Sequence, residues 1–308
     1  MSIAIENPQQ LRKLIPSEVI KPLHKVATWR GLFAVAFEWA IIIGAAILCE
    51  MYFSWLLYIL AVIVIGARYL ALGLIMHEAV HNLISENKFL NEWIAEILCA
   101  WPLLISMRSY RIKHLAHHAW LNTDKDPDYI SKKDPNWQYP MKSGKLIKLI
   151  LIQLSGVGIF ESLKVMSSSK MKKEKTPLWY HLFRLSFYLS IIGGFIYLDL
   201  GIQLLMYWFI PLATWTQMAN RLRRIAEHSA VKDLPLSLQT RTTLHGVLSR
   251  FLLSPKNIAF HNEHHLYPGV PSYNLPNIHK ELNKVELAKV TLHVSKTYTS
   301  VYDECTIS

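Results

Sequence analysis

Nine of the 14 histidines fall into three tight groups and one isolated position. The first group is His77-Glu78-Ala79-Val80-His81. The second holds His114, His117 and His118, and the third holds His261, His264 and His265. His228 closes the basic run that begins at Asn220. On a helix, residues at i, i+3 and i+4 share one face. Each group therefore offers two or three imidazoles on one surface. Imidazole suits iron, zinc, copper and nickel. Eight or nine nitrogen donors exceed what one tetrahedral or octahedral ion can use, so two metal ions are expected. A single H-x-x-x-H arises easily by chance; three groups facing one compartment do not.

Other metal chemistries explain less. His77, Glu78 and His81 fit H-E-x-x-H, the zinc protease helix with two ligands and a general base, but that reading leaves the second and third groups unused. A carboxylate-bridged di-iron bundle needs two Glu-x-x-His pairs, and only Glu78 and His81 have that spacing. A metal transporter would need ligands in mid-membrane, and no histidine lies in the middle of an apolar block.

The elements that must position these groups follow from hydropathy. Of 308 residues, 52% are hydrophobic and 18% charged, and the mean hydropathy is +0.20. This excludes a disordered chain. Four apolar blocks approach the roughly 20 residues a membrane span requires. They cover about residues 32–49, 52–76, 182–199 and 200–219, and form two hairpins with turns near Glu50 and Asp199. Of 33 Lys and Arg residues, five precede the first block, 15 lie between His77 and His181, and 11 follow Ala219. Only Arg68 and Arg184 fall inside blocks. The positive-inside rule places the basic side, with both termini and all histidine groups, in the cytoplasm. The net charge of +11 flanks apolar blocks instead of forming a stripe, so nucleic acid is not the expected partner.

The expected fold is an all-α integral membrane protein, one domain over residues 1–308. Four transmembrane helices in two hairpins carry a cytoplasmic helical cap, residues 77–181 and 220–308, that holds the metal site. Residues 89–107 and 146–160 read as interfacial helices; a re-entrant pair is the competing reading. Glu38 and Arg68 lie roughly 9 and 12 Å inside the first two spans at 1.5 Å per residue. Either they pair across the hairpin or each reaches separately for the surface. Cys49, Cys99 and Cys305 make no disulfide framework, and residues 1–30 do not read as a signal peptide.

The order H-x-x-x-H, H-x-x-H-H, H-x-x-H-H, with apolar blocks between the second and third groups, resembles the membrane fatty acid desaturase superfamily. That superfamily also contains acyl and alkane hydroxylases and carotenoid-modifying oxygenases. The surroundings agree: Arg111-Ile112-Lys113 before the second group, Asp126-Pro127-Asp128 after it, and Leu266-Tyr267-Pro268-Gly269 after the third. The resemblance spans residues 32–282. It implies two irons held by His77, His81, His114, His117, His118, His261, His264 and His265, with His228 as a further ligand. It implies O2-dependent desaturation of a lipid-, CoA- or carrier-linked acyl chain; hydroxylation or ketolation is the alternative outcome. Carboxylates and amides behind metal-bound histidines fix their tautomers, and Glu78, Asp126, Asp128, Glu227, Asn262 and Glu263 are candidates. Asp126 and Asp128 could equally form only a turn. Two external electrons are required. No His-Pro-Gly-Gly or Gly-rich nucleotide fingerprint is present, so the donor is expected to be a separate ferredoxin or cytochrome b5.

Arg108, Arg111 and Lys113 read as positive-inside charge before they read as a head-group site. Trp93, Trp101, Trp137, Trp179 and Trp208 are candidates for lining an acyl tunnel, although interfacial tryptophans are common in membrane proteins. Residues 285–308 suggest no role.

Overall fold

The computed structural model describes residues 8–131, 133–160, 176–231 and 238–307. The chain is mostly helical, at 72%. Helix α1 (Thr28–Met51) and helix α2 (Trp55–Val80) form the first hairpin. Ser54 caps α2, its hydroxyl accepting the Leu57 amide at 3.2 Å. Both helices are long and apolar enough to cross a membrane. Only 22% of the apolar stretch of α1 is buried, against 67% of α2, so α2 is the central helix and α1 its outer cover. The predicted second span stopped at residue 76, but α2 runs to Val80 and His77 lies in its last turns.

Residues 89–107 do not form one helix. Helix α3 (Lys88–Ile94) continues as a π-helical stretch, Ala95–Ala100, and a 3-10 turn, Trp101–Leu103. Leu104 is left-handed, with φ of 60°. Helix α4 (Met107–Trp120) then leaves at 95° to the preceding segment. Taken as one span, this bent pair would be a third candidate crossing. Helix α5 (Ser143–Leu154) buries Leu146 and Leu149 and leaves Ile147 and Leu151 exposed. Residues 161–175 of the predicted cap lie outside the described residues.

The second predicted hairpin has different boundaries. Helix α6 (Leu178–Tyr197) carries His181 and Arg184. The next segment runs as Gly201–Leu204, a π-helical Leu205–Phe209 and Ile210–Ala213. Pro211 has no N–H to donate, and a proline inside a helix disturbs the ladder on both sides. The helix breaks at Thr214, with φ −107° and ψ −91°. Residues 215–219, predicted to end the fourth span, instead begin helix α7 (Trp215–His228). This helix crosses α2 closely at Gly66, where a Cβ would stand 2.7 Å from that of Trp215. The Thr216 hydroxyl donates to the Gly66 carbonyl at 3.0 Å.

Helix α8 (His261–Leu266) carries the third histidine group, and α9 (Leu275–Leu282) and α10 (Tyr298–Cys305) complete the C-terminal part. The all-α expectation needs a correction. Strand β1 (Met141–Lys142) pairs in parallel with β4 (Thr306–Ile307), and β2 (Arg241–Thr243) with β3 (His293–Ser295). The segment 285–308, silent in the sequence, supplies one strand to each pair.

Glu38 and Arg68 pair at 3.0 Å, with 1% and 3% exposure. Lys256 adds a second cation, 2.6 Å from the same carboxylate. The Arg68 guanidinium also lies 3.8 Å from the Phe251 ring and donates to the Phe251 carbonyl. The hairpin is thereby tied to the C-terminal part by a buried charge cluster. Such charges persist only when paired and hydrogen-bonded.

Candidate metal centre

Four helices bring the nine histidines together. His77 projects from the last turns of α2, and His81 caps its C-terminus. Helix α4 delivers His114, His117 and His118, α7 ends on His228, and α8 delivers the last three. Helix α4 is held at its start by Glu96, which is fully buried. That carboxylate accepts the amides of Met107 (3.2 Å) and Arg108 (3.1 Å) and the Ser106 hydroxyl (3.3 Å). A carboxylate there satisfies amides that have no partner within the helix and favours the positive end of its dipole.

The imidazoles sort into two sets. His77, His81, His114, His118 and His264 form the first; His117, His228, His261 and His265 form the second. Within each set, one donor atom per residue lies within 4.8 Å of every other. Each H-x-x-H-H group is divided. His114 and His118 go to the first set and His117 to the second; His261 and His265 go to the second and His264 to the first. At 100° per residue, i and i+4 stand 40° apart, whereas i+3 is 100° from i+4. Each triple is thus split between the two sets, which the shared-face reading did not resolve.

The spacing within each set fits a metal ion. The Nε2 atom of His114 lies 2.9 Å from those of both His81 and His118, and His118 lies 3.0 Å from His264. In the second set, Nε2 of His261 lies 2.9 Å from that of His228 and 3.1 Å from that of His265. Nitrogens bound at about 2.0–2.1 Å to one ion, at right angles, stand about 2.9 Å apart. Hydrogen bonding alone accounts poorly for His114, since one ring nitrogen offers a single proton or a single lone pair. The sets meet where the His118 and His265 rings stack, with centroids 4.3 Å apart.

Burial pushes the His81 pKa down to about 4. Burial first, and then neighbouring imidazoles, hold His114, His118, His264 and His265 well below the ordinary histidine range. These rings are neutral at pH 7, the state that binds a metal.

The groups behind the ligands divide more unevenly. Asp126 is fully buried, and both its oxygens lie 3.0 Å from Nδ1 of His117. It also accepts the amides of Asn122 and Asp128, each at 2.8 Å. The turn and the histidine contact therefore coexist. Glu227 is held by Arg223 at 2.6 and 2.7 Å and stands 3.6 Å from Nδ1 of His261. Glu78, Asn262 and Glu263 have their hydrogen bonds with groups outside the two sets. Glu78 accepts the Ser272 amide at 2.5 Å. Asn262 contacts Thr240 and the His293 carbonyl, and Glu263 contacts Thr242 and His279. Asp128 is 47% exposed and 4.0 Å from Arg224.

Two cavities reach the histidines. One, of only about 10 Å³, is lined by Leu74, Leu83, Ile258 and Leu275 together with Glu78, Lys256 and Ser272, beside His77 and His264. The other is polar, with Tyr110, Trp137, Arg223 and Arg224 beside both sets. Of the five tryptophans singled out from the sequence, only Trp137 lines either cavity. Trp101 is core, and the Trp208 indole donates to the Pro102 carbonyl at 2.6 Å. Arg108 and Arg111 both pair with Glu92. Sequence reasoning missed Glu96, Lys256, Arg241 and Glu304; each acts through a partner distant in the chain, and no local pattern marks it.

The chain resembles several characterised proteins. It is 28% identical over 285 residues to dihydrorhizobitoxine desaturase of Bradyrhizobium elkanii, covering 88% of this chain and 78% of that protein. It is 23% identical over 296 residues to the chloroplastic omega-6 fatty acid desaturase of Glycine max, covering 88% and 65%. A shorter match, 27% over 144 residues, links it to the sn-1 acyl-lipid omega-3 desaturase (ferredoxin) of Synechocystis sp., covering 46% and 39%. The fatty acid desaturase family profile matches residues 53–298, a stretch that holds all nine clustered histidines, and the chain is accordingly an oxidoreductase of the fatty acid desaturase family.

Proposed function

We propose that this enzyme removes two hydrogens from adjacent carbons of an acyl chain, using one iron in each histidine set. The observation that carries the reading is the sorting of nine imidazoles into sets of five and four at metal-ligand spacing. The irons, with O2, supply the oxidising power needed to break an unactivated C–H bond.

The chain's own residues position and exclude. His77, His81, His114, His118 and His264 hold one ion; His117, His228, His261 and His265 hold the other. Asp126 keeps the His117 proton on Nδ1 and leaves Nε2 for the metal, and Glu227 orients His261. Leu74, Leu83, Ile258 and Leu275 make the apolar part of the surface beside His77 and His264. The two apolar helices and α6 with the broken segment 201–213 make four spans, and the remaining parts form a cytoplasmic cap. A separate electron carrier, a ferredoxin or cytochrome b5, docks on its basic face.

The test is the fatty-acid profile of a host membrane carrying this chain, against His264→Ala. A new double bond that vanishes in the variant is expected. A new hydroxyl group would replace desaturation by hydroxylation. Identical profiles, with two irons bound and a donor supplied, would remove the acyl substrate.

A further inference from the structure

This inference rests on the two-metal reading. Besides His117 on α4, the second set draws His228 from the end of α7 and His261 and His265 from α8. Strand β2 lies between these helices and touches both. Side chains alternate along a strand. Thr240 and Thr242 reach α8, with the Thr240 hydroxyl 2.5 Å from the Asn262 carbonyl oxygen and the Thr242 hydroxyl 2.6 Å from Glu263. Arg241, between them, reaches α7. It donates to the carbonyls of Ile225 (3.3 Å) and Ala226 (3.2 Å), in the last turn before His228.

Arg241 is fully buried. A buried guanidinium needs a counter-charge, and Glu304 supplies it at 2.7 Å. The same carboxylate accepts from His293 Nε2 and from the Ser295 hydroxyl, both at 2.7 Å. His293 and Ser295 are the ends of β3, registered against Arg241 and Thr243 of β2. The His293 carbonyl, in turn, accepts the Asn262 side-chain amide at 2.8 Å, immediately beside His261. One carboxylate thus closes a circuit: α7 through Arg241, β3 through His293 and Ser295, α8 through Asn262.

We propose that Glu304 is a positioning residue for the second metal set, holding α7 and α8 so that His228 and His261 face one ion. The first set is different. His77 and His81 stand on α2, and His114 and His118 on α4, the latter anchored by Glu96. Only His264 comes from α8, and α8 keeps its Glu263 contact with His279 at 2.6 Å whatever occupies position 304.

The test uses the full chain in detergent, stripped of metal and titrated with ferrous iron without oxygen. Iron per chain and the thermal unfolding of the metal-free protein are both read. Wild type is expected to bind two ions. Glu304→Ala is expected to keep one at wild-type affinity and bind the other about 10–100-fold more weakly, the usual consequence of losing a group behind a ligand. Glu304→Gln, whose carbonyl can still accept from Arg241 while its NH2 donates to the Ser295 hydroxyl, should recover part of that loss. Should Glu304→Ala fail to fold, Ser295→Ala decides, because it loosens Glu304 and leaves Arg241 paired; it too should weaken one ion only. Wild type binding fewer than two ions would overturn the two-metal reading itself. With two ions in wild type, wild-type affinities in Glu304→Ala, or equal weakening of both ions by Ser295→Ala, would overturn the role of Glu304.

Discussion

The two histidine sets are alike in chemistry and unlike in foundation. The first stands on the end of an apolar helix and on α4, whose start is sealed by a buried carboxylate. The second takes His117 from that same α4 but His228, His261 and His265 from α7 and α8, which a short strand pair and a long-range ion pair brace. The first is therefore coupled to the membrane hairpin, and the second to the packing of the C-terminal part. Damage to one foundation should show in one set before the other.

The hairpin offers the largest effect. Glu38→Leu would strand both Arg68 and Lys256 without a counter-ion. Breaking a buried pair in this way costs about 3–5 kcal/mol. Arg68→Leu should cost less, because Lys256 remains 2.6 Å from the carboxylate. Thermal unfolding in detergent should rank wild type, Arg68→Leu and Glu38→Leu in falling order. Equal damage from the two variants would mean that Lys256 does not compensate.

A middle-sized effect is expected behind the second set. Asp126→Asn keeps one of the two turn contacts, since Asn122 and Asp128 bond different oxygens, and weakens the contact with His117. It should lower affinity for the second ion by about 10–100-fold and leave the first unchanged, as read by iron titration. Loss of both ions would show that the stacked pair His118 and His265 couples the sets.

A third effect is that of mild acid on the metal-free protein. Unfolded histidine takes up a proton near pH 6.5, whereas folded His81 does so only near pH 4. Folding therefore excludes protons between those values. Stability should be level from pH 8 to 7 and decline as pH falls from 6.5 toward 4. His81→Gln should flatten part of that slope; an unchanged slope would place the acid sensitivity elsewhere.

Much of this was legible in the sequence because it is local. Apolar runs announced α1 and α2, and i, i+4 spacing announced the imidazoles. The Glu38–Arg68 pair was one of two readings left open by the sequence; the short turn that fixes the register of their hairpin allowed it, and only the structure decides for it. The division of each triple between two sets could not be read, since it depends on how α4, α7 and α8 are rotated against one another. Lys256, Glu96 and Glu304 were invisible for a related reason. Each is an ordinary charged residue until its partner arrives from another part of the fold. The break at Thr214 was missed because hydropathy continues smoothly across it while the backbone does not.

The pairing of β3 with β2 also bears on how the protein is made. During synthesis, α1 and α2 leave the ribosome early, and His117, His228, His261 and His265 all precede residues 293–307. A nascent chain can thus display every ligand of the second set before the segment that braces them exists. Assembly of that set is deferred until translation of the brace is complete, so a truncated product would carry its histidines without the segment that braces them.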